Sequence, residues 1–375
     1  MDGYRLKSKV AIDEREFLIQ TVNDEEKNAV VSSLFVDGKV IETCDFPHPE
    51  NKTIADIEGL VISAHEEKKT EIEHLLATFG KVAGSNDPDL MFNVGTAFYC
   101  KKLYEEAQIL FESVIACRPD HYQAGNYYGL TLMALGQFEK AVMALGRVVE
   151  LKPGFADFHN NYGEALLESG SCRRAIEEFE AALKINIYYA DAYFNIGIAY
   201  LSNAVTHENY EFFEYMLANI KDSLNRAIMI TPAFKTSRYD ETINLIETGE
   251  YAQALILLKA VRDIKKEKSR QEFSSCYLRF LLFSEKVNER AVADRIQYLQ
   301  SILEKNPNYS DLHHELALCH LQQAQISWNK GIKHFGEALN INAHLTKSEK
   351  SRKQAESFAE QLKETLINIA RFENE

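Results

Sequence analysis

Apolar residues recur along the middle of this chain with a period of 34 residues, in two short helical stretches per period. Glycines mark the period at Gly95, Gly129, Gly163 and Gly197. Twelve residues after each of the first three glycines lies an alanine, and sixteen residues after lies a large apolar residue. Self-similarity at such a spacing is typical of repeat proteins, in which each unit packs only on its neighbours. The pattern therefore predicts stacked, antiparallel helix pairs.

The first 80 residues follow a different pattern, made of short β-prone runs. These runs fall at residues 9–12, 16–22, 29–36 and 39–46. Asp37 and Gly38 separate the last two runs and favour a tight hairpin, because both central residues of that turn need positive φ. Thr53 and Asp56 then suit a capping box at the start of an amphipathic helix. We expect a small antiparallel meander with a helix on one face.

The repeated positions resemble the tetratricopeptide repeat. The helix pair of that family carries a small residue, an alanine, an aromatic residue and a closing proline at the separations of Gly95, Ala107, Phe111 and Pro119. The resemblance covers residues 88–343. It implies a mostly α fold, a right-handed α-solenoid of such helix pairs, preceded here by the small α+β domain.

Three domains are expected on this basis: the small α+β domain at 1–80, the solenoid at 81–343, and a capping helix at 344–375. A terminal helix must cover one apolar side and expose a polar one, which the last segment can do. The fourth repeat is eleven residues longer than the third, and we expect the extra residues near 202–213. Further repeats are expected at 271–307 and from residue 311 onward.

The resemblance also assigns a binding groove, because in this family the first helix of each pair lines a concave surface. The corresponding positions hold apolar, aromatic, amide and acidic side chains, and none is Lys or Arg. The assigned residues are Phe92, Asn93, Thr96, Tyr99, Asn126, Tyr127, Leu130, Met133, Asn160, Asn161, Glu164, Glu168, Phe194, Asn195 and Ile198. Such a groove suits a peptide or helix with apolar and basic residues, and not a carboxylate that needs a basic clamp. Packing inside the solenoid is the alternative for each side chain.

Composition narrows the choice of partner. Asp and Glu total 56 against 42 for Lys and Arg, a formal net charge of −14. Such a surface repels phosphate backbones, so nucleic acid is not expected as a partner. Apolar runs are too short for a membrane span, and six scattered cysteines suit free thiols in a reducing compartment. We expect a cytoplasmic protein of bacterial type.

Candidate chemistry is sparse. His313 and His320 of the segment HHELALCH stand at helical spacing, but the second histidine of the zinc-protease pattern is missing. In the repeat alignment both take aromatic packing positions, so we expect packing rather than a metal site. Nucleophile elbow, phosphate loop and dinucleotide motifs are all missing. We therefore expect a non-enzymatic protein with no catalytic residues, no metal and no cofactor.

One concentration of basic residues interrupts this acidic chain. It consists of Lys259, Arg262, Lys265, Lys266, Lys268 and Arg270. A solvated helix face is the simplest interpretation, and docking to an acidic partner or to the N-terminal domain is the alternative.

Two functions remain. In the first, the chain is expected to be a scaffold or adaptor that binds a partner peptide in the groove. In the second, it is expected to be an assembly platform that self-associates and recognises partners through its N-terminal domain. An enzyme or metal protein using HHELALCH is a third and less favoured hypothesis.

Overall fold

Four antiparallel strands open the chain, and helices follow throughout the described residues. The structure is a computed structural model that describes residues 4–12, 15–48, 53–82, 87–206, 215–282, 289–304 and 310–372. The chain divides into two compact parts, Met1–Ser274 and Ser275–Glu375, which we describe separately. The predicted fold class, mostly α with a small α+β domain first, is confirmed. The predicted domain boundaries at 80 and 343 remain predictions.

The sheet is a meander with strand order β1-β2-β3-β4. Asp37 and Gly38 have φ of 49° and 77°, so the last hairpin turns as its sequence predicts. Phe17, Ile19 and Leu34 are buried on the inner face. The strands are β1 (Arg5–Ile12), β2 (Arg15–Asp24), β3 (Ala29–Val36) and β4 (Lys39–Pro47).

Helix α1 (Ile54–Val82) covers that inner face. It begins with the predicted capping box, in which the Asp56 carboxylate accepts from the Thr53 N–H at 2.9 Å and the Thr53 hydroxyl accepts from the Asp56 N–H at 3.2 Å. Val61 and Ala64 pack against Val30 of β3. The helix therefore closes the small α+β domain.

The repeats follow as pairs of short helices, each packed on the next. The first helices of successive pairs, α2, α4, α6 and α8, also contact one another, so they form one continuous layer. The predicted insertion near 202–213 begins within α8, which runs on to Thr206, and its remainder at 207–213 lies outside the described residues. The helices are α2 (Pro88–Cys100), α3 (Tyr104–Cys117), α4 (Tyr122–Ala134), α5 (Phe138–Leu151), α6 (Ala156–Glu168), α7 (Cys172–Ile185), α8 (Ala190–Thr206) and α9 (Met216–Ile230).

A cluster of four charges fastens the N-terminal domain to the first repeat. Lys68 of α1 lies 2.7 Å from Glu42 of β4 and 3.3 Å from Glu71 of α1. Lys101, which follows α2, lies 2.9 Å from Glu42 and 2.6 Å from Glu71. Both lysine side chains are only 6% exposed. Each charge of this cluster stabilises the opposite charges, because removing a lysine or a glutamate would leave its partners unpaired in a poorly solvated site.

Glycine recurs in the repeats because the two helices of a pair approach closely. Phe111 lies against Gly95, Leu145 against Gly129 and Phe179 against Gly163. A Cβ atom added to Gly163 would lie 2.6 Å from Cε1 of Phe179, which is closer than real contacts allow. The large apolar residue sixteen positions later therefore fills the space that the glycine leaves.

We expect Gly163→Ala to lower the free energy of unfolding by about 1–3 kcal/mol, because the extra methyl overpacks the helix pair. Gly59→Ala is the control, since a Cβ there meets nothing within 4 Å and the position is helical. Alanine should be neutral there or stabilise the helix by up to about 1 kcal/mol. Urea midpoints followed by circular dichroism compare the two. Equal midpoints would contradict the close approach.

A fifth helix pair starts at α10 (Ser237–Thr248) and continues in α11 (Tyr251–Leu282). Gly249 lies between them with φ of 84°, a left-handed conformation that ends α10. Helix α11 has 32 residues and runs past the start of the repeat predicted at 271–307. The 34-residue repeat pattern therefore ends within α11.

The second part contains the end of α11 and, among the described residues, three further helices: α12 (Glu289–Leu303), α13 (Ser310–Ile341) and α14 (Thr346–Phe372). The repeat expected from residue 311 onward would need two helices, but α13 is one continuous helix. Glycine, as at Gly331, is the strongest helix-breaking residue in this segment, and a single glycine is tolerated inside a helix. The Trp328 indole of α13 donates to the Ala355 carbonyl of α14 at 2.9 Å.

The packing interpretation of His313 and His320 is wrong, since both side chains are exposed on α13. Cys319 is the buried residue of this segment, and it packs with Leu316 and Ile326 against α12. The histidines lie on another face of the helix, because neighbouring residues point about 100° apart. In the parts of the chain that are described, no group of three or more His, Cys, Asp or Glu side chains could hold a metal ion.

Candidate functional site

The assigned groove residues lie on the layer formed by α2, α4, α6 and α8, and none of them is exposed. They separate into buried and half-buried sets. Those buried are Phe92, Asn93, Thr96, Asn126, Asn160, Glu164, Phe194, Asn195 and Ile198. Those half-buried are Tyr99, Tyr127, Leu130, Met133, Asn161 and Glu168.

The aromatic members pack on one another across the repeats. Tyr127 of α4 lies 5.9 Å from Phe92 and 5.4 Å from Tyr99, measured between ring centroids. Phe194 of α8 stacks on Phe234 at 4.2 Å. Contacts of this kind stabilise neighbouring helices beyond simple burial. These aromatic side chains therefore pack against other rings of the repeats and stabilise the layer itself.

Asparagine side chains link the layer by hydrogen bonds 35 residues apart. Asn161 Nδ2 donates to Asn126 Oδ1, and Asn195 Nδ2 donates to Asn160 Oδ1, both at 3.0 Å. Asn160 and Asn195 also donate to one carboxylate oxygen of Glu164, at 3.1 and 2.9 Å. The repeat spacing brings these amides together, and they orient Glu164 within the layer.

Glu164 is a buried charge, with a side chain only 2% exposed. Burial alone raises the pKa of this carboxyl, but Lys266 and Arg262 outweigh it and hold the pKa below its ordinary value. Helices α2, α4, α6 and α8 contain neither Lys nor Arg. The cations that keep Glu164 ionised must therefore come from outside the layer.

Helix α11 supplies them. We call Glu164, Glu168 and Asp191 the acidic face. Lys259 and Arg262 lie 2.9 and 3.1 Å from the Glu168 carboxylate, and both lower its pKa against the effect of burial. Lys265 lies 2.5 Å from Asp191. Lys266 contacts Glu164 directly. Each carboxylate of the acidic face thus meets a cation of the same chain.

The solvated-face interpretation of the basic cluster is therefore wrong. Arg262 is buried, and Lys259 and Lys265 are less than a third exposed on the side chain. Arg270 donates from Nη1 to the Cys100 carbonyl of α2 at 2.9 Å. The side chain of Lys268 lies outside the described residues. Docking to the acidic repeats, and not to the N-terminal domain, accounts for the described contacts of the cluster.

Sequence reasoning missed α11 as the occupant of this surface. A signal was present, because the basic residues at 259, 262, 265 and 266 share one side of a helix. The acidic residues at 164, 168 and 191 occupy positions that the resemblance turns inward. Opposite charge on two such surfaces of one chain could have suggested the pairing.

The layer holds the cationic residues of α11, and one nucleophilic side chain, Cys100, lies at the end of α2. Burial raises the pKa of the Cys100 thiol to about 12, so the thiol is protonated and unreactive at neutral pH. Within the residues that the structure describes, no helix is long and apolar enough to cross a membrane.

Comparison with known proteins identifies the repeats. The tetratricopeptide repeat family model matches residues 128–183 and 163–204, which span α4 to α8. Residues 128–204 therefore consist of tetratricopeptide repeats, and the chain is a protein that contains this repeat. Solenoids of this class present extended surfaces for binding other proteins. No curated protein sequence matches the chain.

Solved structures that match part of the chain do so at low identity and low TM-score. The crystal structure of MamA protein is 20% identical, covers 49% of this chain and 95% of its own, and has a TM-score of 0.37. MamA 41-end from Desulfovibrio magneticus RS-1 is 17% identical over 48% and 97%, with a TM-score of 0.37. YrrB, described as a TPR protein with an unusual peptide-binding site, is 23% identical over 46% and 82%, with a TM-score of 0.34.

Proposed function

We propose that this chain is a non-catalytic adaptor that binds a segment of another protein on the layer formed by α2, α4, α6 and α8. The observation that carries the proposal is the seating of a basic helix on that layer by ion pairs to Glu164, Glu168 and Asp191. The layer thus has the shape and charge to hold a helix. A partner helix or peptide with basic and apolar residues would bind to the same three carboxylates.

The charge pattern supports this assignment. Glu164 is buried among amides and needs a cation, since an unpaired buried carboxylate is costly. The chain as a whole carries a formal charge of −14, which attracts basic segments over longer distances. Electrostatic complementarity of this kind selects partners and speeds their association.

Photo-crosslinking tests the location of binding. A benzophenone amino acid placed at Leu130 or at Met133, both half-buried on α4, should capture partner proteins from lysates of the source cells. The same group at Met143 or Ile109 is the control, because these exposed residues lie on the second helices of their pairs. Mass spectrometry identifies the crosslinked segment.

We expect adducts from the α4 positions with segments that contain Lys or Arg beside apolar residues, and at least tenfold fewer of the same adducts from the control positions. Adducts of one partner formed only at Met143 or Ile109 would place binding on the other side of the repeats. That outcome would overturn the proposal.

A further inference from the structure

Helix α11 is attached to the repeats in two different ways along its length. Residues 251–262 of α11 are held by apolar packing, with Ala254, Leu258 and Val261 buried in the core that also contains Leu166. The stretch that follows, residues 263–270, has no buried residue among those described. We call residues 263–270 the distal segment. Its attachment differs in kind from that of the residues before it.

Charged and polar contacts hold the distal segment. Lys265 binds Asp191 of α8, Lys266 binds Glu164 of α6, and Arg270 donates to the Cys100 carbonyl of α2. Glu267 lies 2.9 Å from Lys102. These contacts reach from the fourth repeat to the first, so the distal segment covers the length of the layer. The Lys265–Asp191 and Lys102–Glu267 pairs are partly exposed and are therefore screened by salt, whereas Lys266, itself 41% exposed, pairs with a carboxylate that is only 2% exposed.

Release of the distal segment would leave the buried carboxylate of Glu164 without the cation that contacts it. Lys266 is 41% exposed and would regain water, whereas Glu164 would stay among Asn160 and Asn195. A second cation at that point would stabilise the released state. The occupant that can replace the distal segment must therefore bring an ammonium or guanidinium group.

We propose that the distal segment is an internal competitor for the partner, and that the partner is a helix presenting two adjacent cations to Asp191 and Glu164, as Lys265 and Lys266 do. Residues 251–262 stay packed during the exchange. This inference rests on the function proposed above and adds the chemistry of the partner and the control of its access.

The competitor sets the apparent affinity. A tethered segment acts at an effective concentration near millimolar, so a free helix must displace it before binding. The apparent dissociation constant is the intrinsic one divided by the fraction of chains with the segment released. Substitutions that weaken the distal segment should therefore tighten binding of an outside helix.

A synthetic peptide with the sequence of residues 257–270, labelled with fluorescein, provides the probe. Fluorescence anisotropy compares its binding to the full chain and to the full-length double variant Lys265→Gln with Lys266→Gln. Lys347→Gln with Lys350→Gln is the matched control, since it removes the same charge from exposed positions on α14. We expect at least tenfold tighter binding to the Lys265 and Lys266 variant than to the parent or the control.

Adding Glu164→Gln and Asp191→Asn to that variant should remove the gain, because the peptide loses its ligands. A gain that survives these changes, or equal affinity of all chains for the peptide, would overturn the proposal. Circular dichroism confirms that each variant is folded.

Hydrogen exchange of the parent chain gives a second reading that needs no variant. Amides of residues 263–270 should exchange faster when saturating peptide is present, whereas those of 251–262 should not change. Bound peptide without faster exchange would show that the distal segment is not displaced. Crosslinking at Leu130 and Met133 judges the proposed function separately, so adducts there with no effect of the peptide would reject the competitor alone.

Discussion

Replacing the buried Lys68 with methionine should lower the free energy of unfolding of the N-terminal α+β domain by about 3–5 kcal/mol at pH 7, because it leaves two half-buried carboxylates short of a cation. Glu42 and Glu71 would then share Lys101 alone. Urea unfolding followed by circular dichroism measures the loss. The neighbouring Lys69→Met is the control, since Lys69 makes only a 4.0 Å pair with Glu73 near the surface. That control should cost about 1 kcal/mol or less.

The same variant should respond differently to acid. Burial raises the pKa of Glu42, but Lys101 and Lys68 outweigh it and lower the pKa from 4.5 to about 2. A carboxyl whose pKa is lowered by folding adds stability above its unfolded value, and that stability disappears as the pH falls toward the folded value. The gap between parent and Lys68→Met should therefore shrink between pH 7 and pH 3. A constant gap would exclude the charge cluster as its cause.

Phe194→Ala should lower the free energy of unfolding by about 3–5 kcal/mol, the usual cost of emptying a buried aromatic position. Phe194 is fully buried and stacks on Phe234. Tyr188→Ala is the control, because that ring is 75% exposed between α7 and α8, and its loss should cost about 0.5 kcal/mol or less. Thermal and urea unfolding of both variants supply the comparison. Loss of partner binding with full stability would instead show that Phe194 contacts the partner.

This prediction affects how the surface should be mapped. Phe92, Tyr99, Tyr127 and Phe194 stood out in the sequence as partner anchors, yet their rings pack on other rings of the repeats. Alanine at these positions would disturb the layer as well as any contact with a partner. Crosslinkers at Leu130 and charge substitutions on α11 separate the two effects.

Local rules predicted most of the fold. Asp37 and Gly38 specify their turn by backbone conformation alone, and Gly163 with Phe179 specify a close helix pair by size alone. Both relations are short in sequence, so a pattern can reveal them. The outward orientation of His313 and His320 was missed because α13 does not follow the repeat in which they were aligned.

The acidic face shows why the sequence alone did not predict which residues pair with its carboxylates. Glu164 and Lys266 are 102 residues apart, and no period links them. The residue types predicted a basic partner, but nothing local states that the chain itself provides one. Only the path of α11, which continues where a repeat would have turned back, brings the two charges together.

Helix α1 has a consequence for any attempt to remove the small N-terminal domain. Its Phe79 meets Phe98 of α2 edge to face at 5.3 Å, and its Leu75 and Leu76 are buried. End repeats need a covering layer to remain soluble, and α1 provides it at this end. A chain shortened to begin at residue 87 would expose the apolar side of α2 to other molecules and invite aggregation. If such a shortened chain failed to bind a partner, aggregation would be the cause. The failure would not show that the sheet recognises the partner.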